Sequence, residues 1–184
     1  DYVRYYGNEF EEWITPLSSY KEEENLELHD HACNYAEGKK HQMAFGWSVL
    51  NSRGLVNEKD KEQFIYDGLV DLIAHEVGHT LGLRHNFKAS ATYSLFDLKN
   101  KMFTEKNGVT SSVMDYNPVN LSPKGEPQGS WYHTTLGVYD YWAIEYAYAL
   151  HDPDLYVSEE IMLEKFISRV SEPNLQYPTD EDAR

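Results

Sequence analysis

Residues 58–81 contain no proline, and Phe64, Ile65, Leu69, Leu72, Ile73 and Val77 recur there at three- and four-residue steps. That spacing predicts a long helix with one apolar face, stopping at Gly82. His75, Glu76 and His79 stand near its end. Two helical residues four apart share a face and lie about 6 Å apart along the axis. Both imidazoles can therefore turn toward one cation. Glu76 is about 100° further round the helix, so it can flank that cation and hold a water without being a ligand. Gly82 allows a sharp backbone turn, because positive φ has no steric cost for glycine. His85 then returns a third imidazole to the same point. Three neutral imidazoles leave a zinc ion its double charge and one open position, the catalytic rather than the closed structural arrangement. Such an ion acidifies water to a pKa of about 7. The expected cofactor is zinc, with His75, His79 and His85 as ligands and Glu76 as general base. His-Glu-x-x-His alone is only suggestive. With the glycine and third histidine added, chance gives about one chain in ten thousand, which disfavours reading all three as ordinary surface or core histidines.

The rest of the chain sets boundaries. It has 184 residues, 41% hydrophobic, with 15 Tyr and 4 Trp, which is enough for a core and argues against disorder through most of its length. A net charge of −15 repels phosphate backbones, so nucleic acid is not an expected partner. Cys33 is the only cysteine, which rules out an intrachain disulfide and a cysteine cluster for a metal. No apolar run approaches the roughly 18 residues of a membrane span. The first residues, Asp1-Tyr2-Val3-Arg4, read as the start of a piece of a longer protein or of a processed form.

Further helices are expected at Tyr5–Ile14, from Leu26 through Ala36, at His41–Leu50, Ser94–Lys101, Val138–Leu150 and Ser158–Val170. Gly38 is expected to interrupt the second of these. Residues 108–118 and 121–131 read as irregular, and the acidic tail from Pro173 as frayed. Strand signals are weak. The fold expected is mainly α, one partial catalytic domain. Its parts are an N-terminal helical segment (1–57), the metal-binding helix and following turn (58–120), and a C-terminal helical segment (121–184).

The string His75 to His85 resembles the extended zinc signature of the metzincin peptidases. With its continuation Arg84-His85-Asn86-Phe87-Lys88-Ala89-Ser90, it is more narrowly similar to the bacterial zinc-dependent Met-zincin proteins. The resemblance covers roughly residues 65–150. It implies a methionine turn, which Ser111-Ser112-Val113-Met114-Asp115-Tyr116 fits, with Met114 as an apolar floor beneath the zinc. In related metzincins a tyrosine two residues after that methionine reaches the metal or the transition state. Tyr116 either does this or packs under the turn. Leu136 to Tyr148 resembles the helix after the turn. Metzincins usually carry a twisted sheet before the zinc helix, and residues 1–64 offer no candidate strands. The resemblance implies a peptide or protein substrate, a side-chain pocket lined by Asn117 to Asn120, and a secreted, periplasmic or cell-surface location.

Other candidates are weaker. His29-Asp30-His31 is a minor second metal-site candidate, and His41, His133 and His151 read as surface or hydrogen-bonded residues. Arg84, Asn86 and Asp115 are candidates for hydrogen bonding around the ligands. Two rival functions stand beside peptide hydrolysis: a zinc-loaded module that binds peptide or glycan without cutting, and a structural metal closed by a fourth protein ligand. A non-peptide amide is also open as substrate.

Overall fold

The computed structural model describes residue 33, residues 35–54 and residues 56–182. The helix expected at 5–14, the start of the one expected from Leu26, and the His29-Asp30-His31 candidate lie outside these. The described chain is helical, with no strand among the described residues. Helices α1 (Tyr35–Ser52) and α2 (Glu58–Thr80) form the body. Two short helices, α3 (Leu95–Leu98) and α4 (Lys101–Asn107), follow a loop. An irregular segment then leads to α5 (Val138–Tyr148), α6 (Glu159–Ile167) and two short 3-10 turns, Ser168–Ser171 and Pro173–Leu175. Among the described residues no helix is long and apolar enough to cross a membrane.

Gly38 does not interrupt α1, which runs unbroken through it. The reason lies in the helix's buried stripe: Tyr35, Lys39, Met43, Trp47 and Leu50 repeat at three- and four-residue steps across the glycine. Packing of that stripe outweighs the roughly 1 kcal/mol glycine costs in a helix. The stripe meets Phe64 and Leu72 of α2, and Val119 and Tyr132 from the later loops, in one core. Phe64 is its hub, with Trp47, Trp131 and Tyr132 rings 4.9–5.7 Å away.

Helix α2 starts where Asn57 caps it. The Asn57 side chain accepts from the amides of Lys59 and Asp60, and the Asp60 carboxylate accepts from the Asn57 amide. Its buried face differs from the expected one. Ile73 and Val77 are 46% and 48% exposed, whereas Asp71 and His75 are fully buried beside Phe64, Gly68, Leu72 and Gly78. The inward face is half polar because buried partners await those polar groups. Lys39 Nζ of α1 lies 2.6 Å from Asp71 Oδ2, with both side chains fully buried. The same ammonium donates to the Asn117 carbonyl at 3.1 Å and sits 4.7 Å over the rings of Tyr35 and Tyr132. A buried charge needs such compensation, and here it staples α1 to α2 and to the loop after Met114.

Residues 173–182 of the tail are docked rather than frayed. Leu175 is fully buried against Trp142 and Ala143 of α5, with Leu83 alongside. The Phe87 amide donates to the Pro178 carbonyl at 3.1 Å. One buried leucine, one backbone bond and polar side-chain contacts such as Arg84 with Glu181 dock a segment whose composition is otherwise polar.

Candidate metal centre

The last turn of α2 determines how the histidines meet. Gly82 adopts φ +82°. Its amide donates to the His79 carbonyl at 2.9 Å, and the Leu83 amide donates to the Gly78 carbonyl at 3.0 Å. This is a Schellman stop, and it swings the chain back so that His85 faces the helix it has just left. No atom would obstruct a side chain at Gly82, so the demand there is conformational alone.

Each imidazole is held by its Nδ1. His75 Nδ1 lies 2.8 Å from the Val113 carbonyl oxygen, and His79 Nδ1 lies 3.0 Å from the Leu83 carbonyl oxygen. His85 Nδ1 lies 2.8 and 3.0 Å from the two carboxylate oxygens of Asp180. Carbonyls and carboxylates only accept, so each Nδ1 carries a proton, and in the neutral form of each ring Nε2 is the nitrogen with the lone pair. His79 Nε2 and His85 Nε2 then face each other at 3.2 Å. With both rings neutral, two lone pairs at that distance would repel unless a cation, a proton or a metal ion, lies between them. Zinc–nitrogen bonds of 2.0–2.1 Å at a tetrahedral angle would separate two nitrogens by about 3.3 Å, so the pair fits a zinc ion.

Cys33 completes the cluster. Its Sγ lies 3.4 Å from His75 Nε2, and the ligand atoms of Cys33, His75, His79 and His85 all fall within 4.8 Å of one another. These four can hold a metal ion. The thiol faces Glu76 Oε1 at 3.8 Å, and the Tyr116 hydroxyl donates to the sulfur at 3.5 Å. The Tyr116 ring stacks on Tyr35 at 5.0 Å and meets His85 edge-on at 4.8 Å. The Tyr116 ring thus packs beneath the turn, and its hydroxyl meets the Cys33 sulfur.

Met114 is fully buried and packs against α2 at Gly78. A Cβ on Gly78 would lie 2.2 Å from the Met114 sulfur, so the helix can approach this side chain so closely only with glycine between His75 and His79. Asp140 of α5 anchors the loop on which Met114 rides. Its carboxylate accepts from Ser112 Oγ at 2.6 Å, from the Val113 amide at 3.0 Å and from the Gly137 amide at 2.7 Å. The Val113 carbonyl is the group that orients His75, so α5 reaches the cluster through one carboxylate and one peptide unit.

Burial sets the charges. Desolvation pushes the His75 pKa down to about 3, which keeps that ring neutral. Burial would also depress His85, but its bonds to Cys33 and Asp180 outweigh this and push its pKa up. Burial opposes ionisation of Asp180 too, and the His85 bond and charge overcome it to hold that carboxyl below its usual range.

The sequence expectations meet this geometry unevenly. His75, His79 and His85 come together, with Glu76, Tyr116 and Met114 around them. Cys33, Asp140 and Asp180 were not singled out as part of the site, and Gly78 stood only as an unassigned spacer. Cys33 is 42 residues and Asp180 95 residues from the histidines they touch, and no local pattern announces them. Asp115 holds the Ser90 and Tyr116 amides, both at 2.8 Å, and so steadies the turn, while Asp180 takes the ligand-orienting position. Arg84 pairs with Glu181, and Asn86 donates to the Gln176 carbonyl at 3.4 Å; both fasten the tail instead of a ligand ring. Asn117 and Pro118 line a cavity of ≈ 350 Å³ beside Tyr116, with Tyr35, Glu37 and Gln42 opposite. Val119 is instead in the core, and the Asn120 side-chain Nδ2 donates to the Leu98 and Ser130 carbonyls. His133 is fully buried, its Nδ1 accepting from the Val109 and Thr110 amides, and takes no part in the cluster.

The Met-zincin family model matches residues 57–184 of the chain. No curated protein and no solved structure matches it.

Proposed function

Because the chain belongs to the Met-zincin family, we propose that it is a zinc-dependent metalloendopeptidase in which Glu76 is the general base. The supporting observation is the convergence of three imidazoles, each bonded through its Nδ1, in a cluster whose Cys33 sulfur lies 3.8 Å from a Glu76 carboxylate oxygen. His75, His79 and His85 would hold the zinc. When bound, that ion supplies Lewis acidity toward water and toward a peptide carbonyl.

The chain's own groups do the rest. Glu76 takes a proton from the attacking water and delivers it to the leaving amine. Tyr116 donates its hydroxyl to the oxygen that gains negative charge. Met114 and Asp140 keep the ligand geometry, Met114 as the floor and Asp140 through Val113. The cavity beside Tyr116, Asn117 and Pro118 would receive a substrate side chain. Residues 58–120 would form the metal-binding part of the catalytic domain and residues 121–184 its supporting helices. A secreted, periplasmic or cell-surface setting goes with the family resemblance.

Purified protein should carry about one zinc per chain, and His79→Ala should lose it. Glu76→Ala should keep the metal and lower peptide hydrolysis by the full-length protein by about 10²- to 10⁴-fold. Undiminished hydrolysis in the Glu76 variant would remove it from the mechanism. A metal-loaded protein that binds peptide or glycan but cleaves nothing would favour the binding-module reading.

A further inference from the structure

Two residues of the cavity of ≈ 350 Å³ beside Tyr116 are not explained by packing. Asn117 belongs to its wall and is 1% exposed, yet neither Nδ2 nor Oδ1 of that side chain has a hydrogen-bond partner among the described residues. A buried amide without partners is destabilising, so such a group calls for a reason. Gly38 of α1 also lines the cavity. It stands inside a continuous helix, where glycine is unfavourable, and a Cβ there would meet no atom within 4 Å. No neighbour demands glycine at that position; its effect is to leave the cavity wide. Two of the lining rings border the histidine cluster as well, with Tyr35 4.4 Å from His75 and Tyr116 4.8 Å from His85.

The charges around the cavity are already matched. Glu37 lies 3.1 Å from Lys40 Nζ and 3.4 Å from His41 Nε2, and Lys39 is committed to Asp71. A charged side chain would enter without a counter-charge. Asn117 offers a donor and an acceptor side by side. A carboxylate only accepts, an ammonium only donates, and an aliphatic chain does neither. In a trans peptide unit the N–H and C=O point in opposite directions. A primary carboxamide presents both on one edge, so it can close a two-bond pair with Asn117 whichever way that amide is turned.

We propose that this cavity is specific for a carboxamide side chain, glutamine or asparagine, of the bound peptide. Asn117 reads the carboxamide by turning its own amide to the cavity surface, and Gly38 leaves the room for it. The inference takes from the metalloendopeptidase reading only that a peptide lies beside Tyr116.

Alanine-rich heptapeptides with one variable central residue, titrated calorimetrically into the zinc-loaded Glu76→Ala protein, read the preference without turnover. The glutamine or the asparagine peptide should bind about 10- to 100-fold more tightly than the leucine, glutamate and lysine peptides. Asn117→Leu should bring all of them to parity. Gly38→Leu should do the same, and it adds its side chain where no atom stands in the way, so its Tm should be no lower than that of the parent. A tighter leucine or charged peptide, equal binding of all peptides, or a preference that survives both substitutions overturns the assignment. Cleavage by the wild-type protein with no amide preference also overturns it and leaves the peptidase reading standing. Amide-selective binding without cleavage upholds it and removes the peptidase reading in favour of the binding module.

Discussion

Asp180 is the clearest case of one residue acting at a distance. It lies near the end of a polar tail, yet both its oxygens face His85 Nδ1. A carboxylate there fixes the tautomer and raises the basicity of the other ring nitrogen. Asp180→Ala should weaken zinc binding by about 10- to 100-fold, read by competition with a chromogenic chelator. Unchanged affinity would mean that His85 is oriented by other means. Gly78 is the complementary case, where an absent side chain matters. Gly78→Ala must displace the Met114 thioether, because the new methyl would sit 2.2 Å from the sulfur. Overpacking of that kind costs about 1–3 kcal/mol. Urea unfolding of metal-free protein should show the loss. Pairing Gly78→Ala with Met114→Ala should return part of it, which separates a clash from an effect on helix propensity.

Among the elements, the joint between α1 and α2 carries the highest local cost. Lys39 and Asp71 are fully buried, and each is acceptable only because the other is present. Burial lowers the Lys39 pKa, with Asp71 opposing the shift. Lys39→Met would leave Asp71 with the Tyr35 hydroxyl at 3.3 Å and the His133 amide at 3.4 Å as its remaining partners. The expected destabilisation is about 3–5 kcal/mol by denaturant titration. Joint replacement by Lys39→Met and Asp71→Leu should cost much less. If the double variant were as unstable as the single one, packing rather than an uncompensated charge would be responsible. The same joint bears on the site, because Tyr35 stacks on Tyr116 and lies 4.4 Å from His75. Loss of α1 packing should therefore loosen metal binding as well as the core.

For the whole molecule, buried histidine links stability to pH. Desolvation pushes the His133 pKa down to about 4 from an ordinary 6.5. Between those values the unfolded chain holds more protons than the folded one, so stability rises with pH across the window. The contribution is fully present above the unfolded value and is lost as pH falls toward 4. His133→Asn should flatten the slope of stability against pH in this interval by up to one proton per molecule. An unchanged slope would assign the acid sensitivity elsewhere. Metal adds a second linkage. At a free zinc concentration a hundred times Kd, the folded state gains about 2.7 kcal/mol, and chelation should lower Tm accordingly. The outer face of α2 belongs to this scale too: Ile73, Val77 and Leu81, with Leu136, line an exposed apolar groove of ≈ 370 Å³.

Periodicity and spacing alone placed α2, its end at Gly82 and the return of His85, because helical pitch and a glycine turn are local properties. The same local logic located α5 and α6 to within a few residues and marked 108–118 and 121–131 as irregular. It misjudged Gly38 and the outward positions of Ile73 and Val77, since propensity and apolar pattern are blind to which face a partner helix buries. Cys33 and Asp180 reach the histidines, and Asp140 reaches Val113, only after the chain has folded back from far along its length. A contact between residues tens of positions apart is chosen by packing and by the need of buried polar groups for partners, and neither leaves a local trace in the order of amino acids.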